Sequence, residues 1–323
     1  MPHGVAIAGH RSAERAGVAR ERRIREPQAT GTIVVDPRLL IGSPVVDLLL
    51  PYHFYPEVVA FCVLAAVAYA VGLWRMVQAG ESPGVGSAIA WFTGVVLTYA
   101  VMHTYLDYLS QYMFWVHRGQ HLVLHHLAPF LMVLGAPHRV LPYALAPAPR
   151  ARLARVLRHP LIRWPYRTVQ HPAIAPILFV GLIFYWLDAD IHFDAMLSID
   201  LYRVMNASML IDGLLFWWLI VDPRGRHAGG SSFGVRILLL WAIMIPQIIL
   251  GAYIGLADGV LYDVYAVCGR AWPLSPLTDQ QIGGLITWIP AAMMSMIGAL
   301  VVFRLWLRES TQPAAAVANG GRA

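Results

Sequence analysis

The chain has 323 residues, of which 58% are hydrophobic and only 13% are charged, and its mean hydropathy is +0.57. These values exclude an ordinary soluble domain, in which about a quarter of the residues are charged. The net charge of +6 rests on 24 arginines without a single lysine, and they cluster beside apolar stretches. This placement favours membrane orientation and contact with anionic lipid over nucleic-acid binding. We therefore predict an all-α fold, a polytopic bundle of membrane helices.

Seven apolar stretches are candidates for membrane spans, which need roughly 20 residues, and the fourth of them is short. In chain order they predict spans at residues 58–74, 85–106, 112–134, 173–187, 201–221, 237–256 and 282–305. We predict a mostly disordered N-terminal tail at residues 1–50, a seven-helix transmembrane domain at 51–308, and a disordered C-terminal tail at 309–323. The two cysteines form no CxxC pair, and nothing indicates a disulfide framework.

Loop charge predicts the orientation of these spans. Seven arginines and no acid lie between residues 139 and 167, whereas the loops after the fourth and sixth spans are acidic. By the positive-inside rule the arginine loops are cytoplasmic, which places the N-terminus outside and the C-terminus in the cytoplasm. Residues 150–158 have the pattern of a short amphipathic helix at the membrane interface, although a solvated loop fits the pattern as well.

The third predicted span carries a series of soft donor atoms. Met113, His117, His121 and His125 follow one another at intervals of four, so each step drifts only about 40° around a helix. Ionisable groups at membrane depth are costly and face a bundle interior or a wet cavity. Imidazole suits copper and zinc, whereas thioether selects monovalent copper, so the series predicts copper before zinc. The alternative is that these histidines bond to backbone or polar neighbours inside the bundle.

The second half of such a site is less clear from the sequence. Met209 and Asp212 lie in the fifth span, where Asp212 could ligate a metal, carry a proton or orient a histidine. Asp188 belongs to an acidic cluster after the fourth span that could concentrate cations or simply mark an external loop. His103 and Asp107 lie at the external end of the second span, where an incoming cation would meet them.

Motifs of the common enzyme classes are missing. The chain contains no nucleophile elbow, no P-loop, no GxGxxG and no HExxH, so we predict no enzymatic activity. Because lysine is absent, a retinal Schiff base is excluded.

Three blocks resemble the polytopic CtaG-like cytochrome c oxidase assembly factors, over residues 55 to 307. They are FWVHRGQHLVLHHLAPFLMVLGAP at 114–137, DGLLFWW at 212–218 and LSPLTDQQIGGLITWIP at 274–290. The resemblance implies a bacterial plasma-membrane factor that helps to build a haem-copper oxidase by handling copper. Its implied partners are an oxidase subunit or a copper chaperone.

The resemblance carries over residue by residue and also departs in two places. It includes the motif residues His117, Gln120, His121, Asp279, Gln280 and Gln281. The family usually has a histidine near the end of the fourth span, where Asp188 is aligned, and another in the fifth span, where Asn206 stands. An acid and an amide thus replace two ligands that the resemblance implies.

Three other functions fit the same sequence. Asp212 and the external acids would suit a copper transporter or a proton-coupled cation transporter. Paired histidines would suit a haem-binding membrane cytochrome, although His103 is the best histidine outside the third span. A scaffold for an oxidase subunit would need no metal.

Overall fold

The histidine-bearing stretch lies at the centre of a helical bundle. The structure, a computed structural model, describes residues 53–222 and 231–320, apart from the side chains of residues 311–320. All regular elements in these ranges are helices, which confirms the predicted fold class. The predicted N-terminal tail lies outside the described residues except for its boundary with the first helix. The last helix is described to Gly320, and the disorder of both tails stays a prediction.

Fourteen α-helices and one π-helical turn follow one another along the described residues. They are α1 (Pro56–Gln78), α2 (Val85–His103), α3 (Tyr105–Tyr112), α4 (Phe114–Leu122), the π turn (Val123–Leu127), α5 (Ala128–Leu134), α6 (Pro137–Ala144), α7 (Pro147–Leu157), α8 (Pro160–Val169), α9 (Ala175–Trp186), α10 (Ala189–Leu197), α11 (Ile199–Val221), α12 (Phe233–Gly255), α13 (Val264–Val267) and α14 (Pro276–Gly320).

Five of the described helices are long and apolar enough to cross a membrane, namely α1, α2, α11, α12 and α14. A sixth span is possible if α9 and α10, which bend by 71° at their junction, count as one. The third predicted span does not form one regular α-helix, because it divides into α4, the π turn and α5. Seven spans and the orientation of the termini therefore stay predictions.

Residues 114–134, here called the histidine helix, pack against α2, α11 and α14. A glycine permits close approach on each side. A Cβ atom at Gly94 of α2, Gly213 of α11 or Gly283 of α14 would lie within 2.8 Å of an atom of the histidine helix. Small residues at such contacts let helix backbones approach closely, which supports packing where lipid supplies no hydrophobic driving force. The histidine helix is thus enclosed on three sides.

The π turn has a local cause in the sequence. Pro129 has no amide hydrogen to donate to the carbonyl of His125, four residues earlier, and a proline ring crowds that carbonyl. The helix widens between Val123 and Leu127, where this crowding would occur. The wider turn changes the direction in which His125 and His126 point relative to a regular helix.

The arginine-rich segment forms the two helices α7 and α8, and neither contains a buried residue. Their exposed apolar side chains include Leu153, Leu157, Leu161 and Trp164. Exposed apolar and arginine side chains on one short helix are typical of a helix that lies in the membrane interface.

Candidate functional site

The start of the histidine helix is held by an acid from α14. Met113 is extended, and the carboxylate of Asp279 accepts hydrogen bonds from the amides of Phe114 at 3.0 Å and Trp115 at 2.8 Å. Arg270 forms an ion pair with the same carboxylate. A carboxylate at a helix N-terminus satisfies orphan amides and complements the positive end of the helix dipole.

Gln280, the next residue of α14, fixes the segment that follows α12. Its side-chain oxygen accepts from the amide of Leu261 at 2.6 Å, and its nitrogen donates to the carbonyl of Gly259 at 3.0 Å. Asp279 and Gln280 therefore position the histidine helix and its neighbouring loop.

Gln120 is held by groups of α2 and α3. Its amide nitrogen donates to the carbonyl of Val101 at 2.7 Å and to the carboxylate of Asp107 at 3.0 Å. The hydroxyl of Tyr202 donates to the same carboxylate at 2.7 Å. Asp107 lies on the short helix α3, outside the helices long enough to span a membrane, and burial raises its pKa to about 6 against the opposing effect of these hydrogen bonds. Asp107 is therefore a buried anchor for Gln120, and its role as a meeting point for cations stays a prediction.

Three histidine rings meet inside the bundle. The centroid of the His117 ring lies 4.2 Å from that of His121 and 5.0 Å from that of His192. All three side chains are buried, and both ring nitrogens of His117 have no hydrogen-bond partner among the described residues. An unpaired buried polar group is costly, so the two nitrogens of His117 are places where a water molecule or an ion would bind favourably.

The hydrogen bonds of the other two rings define their tautomers. Nε2 of His121 lies 3.1 Å from Oδ1 of Asn206, which can only accept, so Nε2 carries the proton and Nδ1 accepts from Arg118 at 3.3 Å. Nδ1 of His192 donates to the carbonyl of Trp186 at 3.0 Å, and its Nε2 accepts from the hydroxyl of Tyr265 at 3.0 Å. A backbone carbonyl on one ring nitrogen is the usual support for a histidine that ligates through the other.

His125 does not join this group. Its Nε2 lies 2.9 Å from the carboxylate of Asp212, while Nε2 of His126 lies 3.2 Å from Oε1 of Gln247. Both rings contact Phe179, with centroid distances of 3.8 and 5.1 Å. The predicted series is therefore divided. His117 and His121 belong to an upper group with His192 and Arg118, and His125 belongs to a lower group with His126 at the π turn.

The remaining predicted ligands lie in different surroundings. Met113 is fully buried at the start of α4, and Met209 is buried in an apolar cluster with Leu124 and Ile183. The carboxylate of Asp188 is exposed and caps α10 by accepting from two amides of its first turn. Among the described residues, no group of three or more His, Cys, Asp or Glu side chains has an arrangement that could hold a metal ion.

The sequence does not predict two residues of the upper group as neighbours of His117 and His121, although His192 is part of the acidic cluster that could concentrate cations. His192 belongs in sequence to the external acidic cluster, yet it follows Asp188, aligned with a family histidine, by one helical turn. Arg118 stands among the histidines, and a charged side chain inside an apolar stretch is itself a signal that could have found it. His192 reaches the predicted pair through packing between helices, whereas Arg118 contacts His121 from the same helix, α4.

A cavity of about 300 Å³ lies beside Asn206, the hydrogen-bond partner of His121. Its lining includes Asn206, Asp107 and Tyr202, together with Glu57 and Arg203, whose side chains form an ion pair at 3.2 Å. The exposed fractions of the Glu57 and Arg203 side chains are 51% and 40%, so this pair lies at the outer end of the cavity. Most of its lining is apolar, and the cavity comes as near to the histidines as Asn206, the partner of His121.

The fold and the site define a multi-helix membrane protein with a buried group of histidines enclosed by glycine-lined helix contacts. The model of the cytochrome c oxidase caa3 assembly factor family matches residues 67–309, three quarters of the chain. The chain therefore belongs to the cytochrome c oxidase caa3 assembly factor family, which confirms the resemblance seen in the sequence.

Individual relatives are more distant. The chain is 27% identical to an uncharacterized protein of Mycobacterium leprae over 271 residues, 80% of this chain and 40% of that protein. It is 28% identical to uncharacterized proteins of Mycobacterium bovis and Mycobacterium tuberculosis over 265 residues, 78% of this chain and 39% of each relative. The chain thus spans about two-fifths of the length of these relatives. No solved structure matches the chain at a significant level.

Proposed function

We propose that this protein binds copper at His117 and His121 and passes it on during assembly of a haem-copper oxidase. The observation that carries the proposal is the His117 ring, which is 0% exposed, lies 4.2 Å from the His121 ring and leaves both nitrogens without a partner among the described residues. The assembly role rests on the family, and the copper chemistry rests on these donor atoms.

The donor set suits monovalent copper better than zinc. Structural zinc sites are almost always four-coordinate, and the described residues offer no group of three or more His, Cys, Asp or Glu ligands. Monovalent copper binds stably with fewer ligands than zinc, and imidazole is among the donors that bind copper. His117 would supply a free nitrogen directly, whereas His121 and His192 would each first give up a hydrogen bond.

The cavity beside Asn206 supports a route for the ion. An ion that passes Glu57 would meet Asp107 and Asn206 before it reaches His121. The lower group, in which His125 pairs with Asp212, is the next polar group along the histidine helix. Transfer from the upper to the lower group would move copper along the helix, as the sequence pattern predicts.

The proposal also covers the cellular location of the protein and its partners. We infer a multi-pass protein of a bacterial plasma membrane, since the relatives are bacterial and the described helices suit a bilayer. Its partners would be the lipid bilayer and either an oxidase subunit or a copper chaperone. No enzymatic step is part of this function.

Copper analysis of detergent-purified protein tests the proposal. After loading with a buffered monovalent copper complex, we expect wild-type protein to retain about one copper that His117→Ala and His121→Ala lose. His171→Ala removes an exposed histidine and serves as the matched control. Equal copper in wild-type protein and in His117→Ala would overturn the proposal.

Cation transport coupled to protons is the second candidate, and the pair of His125 with Asp212 favours it. A buried histidine bonded to a carboxylate that is 14% exposed could exchange protons with a passing ion. Uptake of copper into proteoliposomes would distinguish transport from delivery alone.

A haem cytochrome is less well supported, because the ring of His117 contacts the rings of both His121 and His192 and leaves no space for a porphyrin between them.

A further inference from the structure

A buried guanidinium stands beside the proposed copper ligands. Arg118 follows His117 directly and is only 5% exposed. Its Nε donates to the hydroxyl of Thr287 at 3.0 Å, and its Nη1 donates to Nδ1 of His121 at 3.3 Å. Gly283 makes room for its stem, because a Cβ there would lie 3.2 Å from Cγ of Arg118.

Within the described part of the chain, no carboxylate neutralises this charge at close range. None of the ion pairs within 4.0 Å among those residues includes Arg118. The nearest acid along α14 is Asp279, two turns before Thr287, and it is engaged with Arg270 and the start of α4. Buried charges are normally paired, and a guanidinium stays protonated in proteins. The histidines of the upper group, here called the histidine group, therefore lie beside a fixed positive charge.

A fixed charge penalises a bound cation in proportion to that cation's own charge. At a separation of roughly 6 Å and an effective dielectric constant of about 20, one added unit of charge weakens binding about 100-fold. Divalent copper or zinc would meet this penalty twice and a monovalent ion only once. A site for divalent metals would therefore lose much more binding affinity to this charge than a site for monovalent ions.

We propose that Arg118 makes the histidine group selective for monovalent soft metal ions, namely copper(I), against zinc(II) and copper(II). This inference rests on the proposed copper function and names the residue that makes the site select monovalent over divalent ions. Arg118 also occupies the lone pair of His121, so a metal ion that binds through Nδ1 displaces the guanidinium hydrogen bond. Arg118 is in this sense a specificity-determining residue and not a ligand.

Competition on the purified wild-type protein gives the first test. The protein is loaded with copper(I) and challenged with an equal concentration of silver(I) or zinc(II), under reducing conditions. We expect silver(I), which is monovalent and soft, to displace copper(I) and zinc(II) to leave it in place. Displacement by zinc(II) as effective as that by silver(I) would overturn the inference, and this outcome needs no variant.

The charge itself is tested by Arg118→Gln. We expect the ratio of copper(I) affinity to zinc(II) affinity to fall about 100-fold, because removal of the charge relieves divalent binding twice as much. Arg118→Lys keeps the charge, and Thr287→Val keeps it while removing the hydrogen bond to Nε. Both should preserve the ratio within about 10-fold.

The failures of the two proposals are distinguishable. If His117→Ala binds copper(I) as wild-type protein does, the proposed function fails. If His117→Ala loses copper(I) but Arg118→Gln keeps the wild-type affinity ratio, only the inference about Arg118 fails.

Discussion

Asp279 illustrates how a single side chain organises the site without touching the histidines. Its two carboxylate oxygens accept from the first amides of α4, while Arg270 forms an ion pair with it. The extended conformation of Met113 ends α3 and allows α4 to begin at Phe114. The position of His117, one turn further on, therefore depends on an acid that lies more than 160 residues away in sequence.

We predict that Asp279→Ala lowers the free energy of unfolding by about 2–4 kcal/mol, because it removes a helix cap and leaves Arg270 without its carboxylate. Chemical unfolding in detergent micelles measures the change. Asp258→Ala removes an exposed acid near the same end of the histidine helix and should stay within about 0.5 kcal/mol of wild type. An equal effect of both substitutions would contradict the capping role.

At the scale of elements, the π turn decides which partners the lower histidines have. His125 bonds to Asp212 of α11, and the neighbouring residue Gly213 allows α11 to approach the backbone at His125. A Cβ at position 213 would lie 2.6 Å from the carbonyl oxygen of His125 and 2.8 Å from Cγ of Pro129. The π turn and the glycine of α11 therefore fit each other as a pair.

For this contact we predict that Gly213→Ala destabilises the protein by about 1–3 kcal/mol, since a backbone clash forces the helices apart. Gly181→Ala adds a methyl group to a helical glycine where no heavy atom lies within 4 Å of the new Cβ, so it should be neutral or stabilise by up to about 1 kcal/mol. Thermal unfolding of both variants in the same detergent checks the difference. Two similar shifts would show that close approach of α11 is unimportant.

At the scale of the whole molecule, opposite ends of the histidine helix carry opposite charge patterns. Asp279 and the segment around Asp258 lie towards its N-terminal end, while α7 and α8 with their arginines follow its C-terminal end. Arginines flanking spans remain cytoplasmic, so the N-terminal end of the histidine helix should face outwards. Copper would then approach from the outer side.

Cysteine labelling tests this orientation. In a background of Cys62→Ala and Cys268→Ala, we expect Asp258→Cys to react with a membrane-impermeant maleimide in intact cells. Arg152→Cys in the same background should react only after the membrane is permeabilised. The reverse pattern would place the arginine helices outside and invert the proposed direction of transfer.

The sequence by itself determined that the protein is a helical membrane protein, and it singled out the histidine helix as the candidate site. A low content of charge and repeated apolar windows suffice for a helical membrane protein, because a bilayer imposes length and composition on each span. The block around His117, the DGLLFWW block at 212–218 and the block with the Asp-Gln-Gln triplet at 279–281 together indicated the family. Both signals are local in the chain and need no knowledge of packing.

Only the tertiary structure decided how the site is divided. A period of 3.6 residues placed His125 below His121, but crowding at Pro129 opens a π turn and directs His125 to Asp212. The same period says nothing about α10, which brings His192 to the ring of His117, or about the lack of an ion pair for Arg118 among the described residues. These contacts join residues far apart in sequence, and packing between helices fixes them where periodicity within one helix cannot.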